Sequence, residues 1–127
     1  MGVLKMGLIG CGVMGRSLSE SAASLDETDV VWVSDVDEEK GKALATDLGC
    51  AYVADYTEVI GRDEVEAVMI ATPGFLHEEP AVAAANAGLH VFSEKPLAPT
   101  FDACDRIIEA ARVNSVALGV GQVCRFH

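Results

Sequence analysis

The stretch Leu4-Lys5-Met6-Gly7-Leu8-Ile9-Gly10-Cys11-Gly12-Val13-Met14-Gly15 decides the fold of the chain. Its first half is an apolar run of strand length that stops at Gly10. Its second half is a GxGxxG, after which Met14, Leu18, Ala22 and Leu25 recur at helical spacing. Strand, glycine turn and helix in this order give each glycine a task. Gly10 permits the tight turn, Gly12 leaves room for a pyrophosphate against the backbone, and Gly15 lets helix and strand pack closely. The helix N-terminus, which carries Val13 and Met14, offers unpaired N–H groups and a positive dipole end to phosphates.

Outward from this unit, strand-length runs alternate with helical patterns. Val30 to Ser34 is a second strand, ending at Asp35. Gly41, Leu44, Ala45 and Leu48 mark one helical face, with Gly49 placed to cap it. Ala51 to Val53 reads as a third strand and Thr57 to Ile60 as a brief helix. Ala67 to Ala71 is a fourth strand, apolar on both faces as strands covered by helices must be. Acids at Glu78 and Glu79, then Pro80, open a helix that Gly88 closes. His90 to Ser93 is a fifth strand. Thr100 caps a helix with the stripe Phe101, Cys104, Ile107, Ile108 and Ala111, and Val116 to Val120 is the sixth strand. The pattern predicts an α/β fold, a doubly wound parallel sheet between two helical layers. Right-handed crossovers give the order 3-2-1-4-5-6. Residues 1–121 make this domain.

Composition narrows the partners. The chain has 127 residues, with 9 Lys+Arg against 20 Asp+Glu and a net charge of −11. Scattered basic residues in such acid excess argue against nucleic acid, which is held by clustered Lys and Arg. The charge exceeds what solubility requires of a small domain, and a salt-adapted source would account for it. No apolar run approaches the roughly 20 residues of a spanning helix, and no signal peptide precedes the first strand. The expectation is a cytoplasmic protein without a membrane partner. Cys11, Cys50, Cys104 and Cys124 form no CxxC and no metal-ligand spacing, so reduced, mostly buried thiols are expected and no metal.

Three further features sit where the strands of an open parallel sheet end, the edge at which ligands bind. Asp35 lies twenty residues past Gly15, where a carboxylate accepts hydrogen bonds from an adenosine ribose. A carboxylate there repels a 2′-phosphate, and Asp37, Glu38 and Glu39 add negative charge ahead of Lys40. NAD is therefore favoured over NADP. Ala71-Thr72-Pro73-Gly74-Phe75-Leu76-His77 follows the fourth strand, placing its backbone under one half of a dinucleotide. His77 reads either as a base or as the start of the next helix. Ser93-Glu94-Lys95-Pro96-Leu97 ends the fifth strand, and Lys95 can orient a substrate hydroxyl or exchange its proton. A surface Lys95 paired with Glu94 is the plainer alternative.

With these motifs the chain resembles the glucose–fructose oxidoreductase, inositol dehydrogenase and rhizopine-catabolism (Gfo/Idh/MocA) family. The resemblance runs from Lys5 to His127, on GCGVMG, ATPGFLHEEPAVAAANAGLHVFSEKPLA and GQVCRFH. The EKP tripeptide with the preceding TP…H loop is its specific part. The resemblance implies a Rossmann domain binding NAD or NADP, with Lys95 as the lysine that meets substrate and cofactor and Glu94 beside the nicotinamide ribose. It also implies that Gln122 and Arg125 line the nicotinamide side, and that 122–127 begin a crossover out of the domain. Family enzymes carry a second domain with an Asp and a His that complete the catalytic set and a sheet through which they associate. His127, in the crossover, is not that His. The chain is thus read as the nucleotide-binding part of a dehydrogenase acting on a sugar, cyclitol or related polyol, binding cofactor with little turnover by itself. A free-standing NAD-binding module is the alternative, and a methyltransferase a more distant one.

Overall fold

The computed structural model describes residues 3–24, 26–72, 78–94 and 100–121, leaving aside the side chains of Val13, Met14, Glu94 and Val120. In chain order the elements are β1 (Leu4–Ile9), α1 (Val13–Ala23), β2 (Thr28–Ser34), α2 (Glu38–Leu48), β3 (Ala51–Val53), α3 (Tyr56–Ile60), β4 (Ala67–Ile70), α4 (Glu78–Asn86), β5 (His90–Glu94), α5 (Phe101–Val113) and β6 (Leu118–Gly121). All five strand pairings are parallel, and the order is β3-β2-β1-β4-β5-β6. The alternation of short apolar runs with helical repeats therefore yields the doubly wound sheet that it predicts. Because β1 lies between β2 and β4, the chain reverses direction across the sheet at that point. The ends of β1 and β4 meet at this topological switch.

Two apolar layers cover the sheet. Met6, Leu8, Val30, Val33 and Met69 pack under α1 and α2 with Ala22, Leu44 and Ala45. Ile9, Val68, Ile70 and Val91 pack under α3, α4 and α5 with Val59, Ala81, Ala84, Ala103 and Ile107. Aliphatic side chains on both faces of β4 explain why all of Ala67–Ile70 is buried.

The expected stripe of α5 needs correction. Phe101 is 90% exposed and Ile108 49% exposed, whereas Ala103, Ile107, Ala110 and Ala111 are buried. Buried alanines on α5 meet Ala81, Ala84 and Ala85 of α4 in one cluster, so small residues bring the two helices close. Position around the helix, at i, i+4, i+7 and i+8 from Ala103, rather than apolar character alone, selects the inward face. The Arg106 guanidinium and Glu78 carboxylate tie these helices at the surface. Element ends differ by small steps: β2 begins at Thr28, β4 closes at Ile70, and β6 spans Leu118–Gly121 rather than 116–120. Gly49 ends α2 with a left-handed φ of 71°, as its placement predicts.

Candidate functional site

The glycine turn is built by close approaches. Gly10 donates its N–H to the Ser34 carbonyl at 2.9 Å and has a φ of +98°, which L side chains rarely adopt. A Cβ there would stand 2.9 Å from the Ala71 carbonyl carbon and the Thr72 nitrogen, so the turn lies against the chain leaving β4. At Gly15 a Cβ would stand 1.9 Å from the Gly10 carbonyl oxygen, which places the first turn of α1 directly on the end of β1. Gly12 is different. A Cβ there would meet nothing within 4 Å. Two glycines are fixed by packing, and the one between them faces open space.

Gly12 is also the N-cap of α1, which has no side-chain cap and no acidic residue in its first turn. The N-termini of α2, α3 and α5 are each closed by a side chain, from Asp37, Asp55 and Thr100. Open N–H groups and the positive end of the α1 dipole are therefore presented where the turn leaves room. A groove of about 250 Å³ lies there, lined by Cys11, Gly12, Arg16, Lys40 and Ala43.

Two cations, Arg16 and Lys40, stand on this wall; that they share it escapes the sequence reading, since they come together only when α1 and α2 pack side by side. Arg16 is held by Asp47 at 2.7 Å and Glu20 at 3.3 Å. These hydrogen bonds, Asp47's first, raise its guanidinium pKa further. Lys40 forms no ion pair among the described residues. Two of the acids ahead of it are engaged elsewhere: Asp37 accepts from the Lys40 N–H at 3.2 Å, and Glu38 pairs with Lys42 at 2.7 Å.

Asp35 stands at the end of β2 as expected, with its carboxylate tied to the turn. One oxygen accepts the Cys11 N–H at 2.7 Å and the other the Asp37 N–H at 2.8 Å. Each oxygen retains a lone pair for a further donor. The Asp35 carbonyl accepts the Tyr52 hydroxyl at 2.7 Å, a contact that no motif announces. Cys11 lies buried behind the turn, donating its thiol to the Ser34 carbonyl at 3.3 Å. Burial, with the Asp35 charge adding to it, pushes that thiol from 9.0 up to about 12. The Cys50 and Cys104 thiols are half-buried.

Ala71 and Thr72 are half-buried beside Gly10, with the Ala71 N–H donating to the Ile9 carbonyl at 2.8 Å. Glu94 ends β5 at the same sheet edge. Pro73, His77, Lys95, Gln122 and Arg125 lie outside the described residues, as does Cys124. Among the described residues no group of three or more His, Cys, Asp or Glu is arranged to hold a metal, and no helix is long and apolar enough to cross a membrane.

Comparison with known proteins agrees with this geometry. The model of an oxidoreductase family with an NAD-binding Rossmann fold, Gfo/Idh/MocA, matches residues 4–122. Inositol 2-dehydrogenase 1 of Saccharopolyspora erythraea is 40% identical over 111 residues, covering 83% of this chain and 32% of that protein. A 2,7-anhydro-N-acetylneuraminate hydratase of Mediterraneibacter gnavus is 34% identical over 119 residues, or 94% of this chain and 31% of that one. Among solved structures, GenD2 from gentamicin A biosynthesis in complex with NAD superposes with a TM-score of 0.92 at 32% identity, covering 95% of this chain and 35% of that one. KijD10, a 3-ketoreductase from Actinomadura kijaniata in complex with NADP, gives 0.87 at 26% identity, covering 92% of this chain and 38% of that one. The chain thus spans about a third of the length of the relatives it matches. A Rossmann sheet, an open glycine turn with an aspartate behind it, and a match along almost the whole sequence make this chain a member of the Gfo/Idh/MocA oxidoreductase family.

Proposed function

We propose that residues 1–121 form the nucleotide-binding domain of an NAD-dependent dehydrogenase, and that 122–127 begin the crossover to a further domain. The observation that carries this reading is the contrast within the glycine turn. Gly10 and Gly15 are locked by backbone contacts, while Gly12 and the uncapped N-terminus of α1 leave an open cradle. A pyrophosphate fits that cradle by size and charge, with the N–H groups of α1 as donors. Val13 and Met14 contribute their backbone there. Asp35, already fixed by two backbone N–H groups, accepts the adenosine ribose hydroxyls. Ala71, Thr72 and Pro73 run under the dinucleotide.

When bound, the nicotinamide supplies or accepts the hydride. Lys95 orients the substrate hydroxyl and moves its proton, while Glu94, Gln122 and Arg125 flank the nicotinamide end and His77 closes the loop after β4. The relatives named for inositol and for an anhydro sugar support a sugar, cyclitol or related polyol as substrate. The catalytic set is completed by residues beyond this domain. The chain alone therefore binds cofactor with little turnover and works in the cytoplasm as part of a longer, associating enzyme.

Asp35 makes NAD the preferred cofactor, because its carboxylate repels a 2′-phosphate. Calorimetric titration with both dinucleotides tests this. NAD is expected to bind about tenfold more tightly than NADP, a difference of roughly 1.4 kcal/mol. Tighter binding of NADP would show that Lys40 and Arg16 outweigh Asp35, and binding of neither would remove the cofactor reading altogether.

A further inference from the structure

Glycine inside a helix is costly, and Gly41 sits in the first turns of α2. The structure shows what its missing side chain permits. A Cβ at Gly41 would stand 2.1 Å from Cε1 and 2.5 Å from Cδ1 of Tyr52, so the tyrosine ring lies flush against the helix backbone. Tyr52 pairs with Val33 in the sheet, one strand outside Asp35, and its ring reaches across to donate the hydroxyl to the Asp35 carbonyl at 2.7 Å. From there the chain of contacts continues through the Asp35 carboxylate to the Cys11 N–H at 2.7 Å, inside the glycine turn. A tyrosine hydroxyl is protonated and a donor at neutral pH in any case, and burial raises the Tyr52 phenol further.

We propose that Tyr52 is a positioning residue for the cofactor: seated against Gly41, its hydroxyl holds the Asp35 peptide so that the carboxylate meets the adenosine ribose. Tyr52 itself is not among the residues that line the groove. The inference rests on Asp35 being the ribose acceptor, and the experiment keeps the two apart.

Binding of NAD and of its 2′-deoxyadenosine analogue is measured by calorimetry for the wild-type chain, Tyr52→Phe, Asp35→Ala and the double variant, with folding followed by circular dichroism. Tyr52→Phe keeps the ring and removes one hydrogen bond, so NAD binding is expected to weaken about 3- to 10-fold. Binding of the deoxy analogue, which lacks one of the two hydroxyls that Asp35 reads, weakens less. In the Asp35→Ala background Tyr52→Phe adds nothing, since the group it positions is gone. Gly41→Ala, which displaces the ring, reproduces the selective loss. Unchanged NAD binding by Tyr52→Phe beside a clear loss in Asp35→Ala overturns the positioning role and leaves Asp35 in place. Equal loss for NAD and the deoxy analogue also overturns it, by showing a general structural role. No effect of Asp35→Ala, or no NAD binding by the wild-type chain, removes the parent reading and this proposal with it.

Discussion

The N-termini of α1 and α2 lie side by side and are finished in opposite ways. At α2, Asp37 caps the Lys40 N–H and Glu38 and Glu39 occupy the first turn, so the helix satisfies its own donors and neutralises its own dipole. At α1, glycine occupies the N-cap, and the first turn holds no acid and receives no side chain. The same backbone groups are satisfied within the helix at one end and left open at the other. With glycine rather than Asp or Ser at the N-cap, α1 gives up only about a few tenths of a kcal/mol of stability, and its open end is the one facing the groove.

The comparison breaks most completely if a carboxylate is put into the open end. Gly12→Asp has room for its side chain and would supply the cap that α1 lacks. NAD binding should fall by about 100-fold or more, roughly 3 kcal/mol, while the melting temperature holds or rises. Retained binding would mean that phosphates do not use this end. Next in size is Gly15→Ala, which drives a Cβ to 1.9 Å from a backbone oxygen that cannot turn aside. Overpacking of that kind should cost about 2–3 kcal/mol, read as a lower midpoint in urea unfolding. Asp37→Ala removes the cap of α2 and should cost about 1 kcal/mol with NAD affinity unchanged, the reverse of Gly12→Asp.

The smallest effect at neutral pH comes from Cys11, which lies behind the open turn. Its thiol is raised from 9.0 to about 12 in the folded chain. The folded state thus keeps a proton that the unfolded chain releases. The stability this provides is complete below pH 9 and is lost as the pH climbs toward 12. Cys11→Ala should flatten the fall in unfolding midpoint between pH 9 and 11. An equal slope in both proteins would remove Cys11 as its source.

Much of this comparison is legible in the sequence, because it depends on local chemistry. Gly10, Gly12 and Gly15 announce the turn by spacing, and the apolar runs announce the strands by their length and by the helical repeats between them. Asp35 is legible for the same reason, as a position counted from the motif. What resists reading is whatever depends on two distant segments meeting. Arg16 and Lys40 share a groove only after α1 and α2 pack, and Tyr52 reaches Asp35 only through the pairing of β2 with β3. Gly41 carries a trace of this: a glycine amid helix formers asks for a neighbour that needs the space, without saying which. The stripe of α5 holds in part: Ile107 and Ala111 are buried and Cys104 packs against the core, while Phe101 and Ile108 point outward. Which side of a helix turns inward is set by the partner it packs on, here α4.

The contact between Gly15 and the Gly10 carbonyl has a mechanical consequence. It welds the first turn of α1 to the end of β1, so the helix cannot tilt without taking the strand along. The other wall is held as closely, since the backbone of α2 at Gly41 lies flush on the Tyr52 ring, so each wall of the groove is pinned to a strand of the sheet.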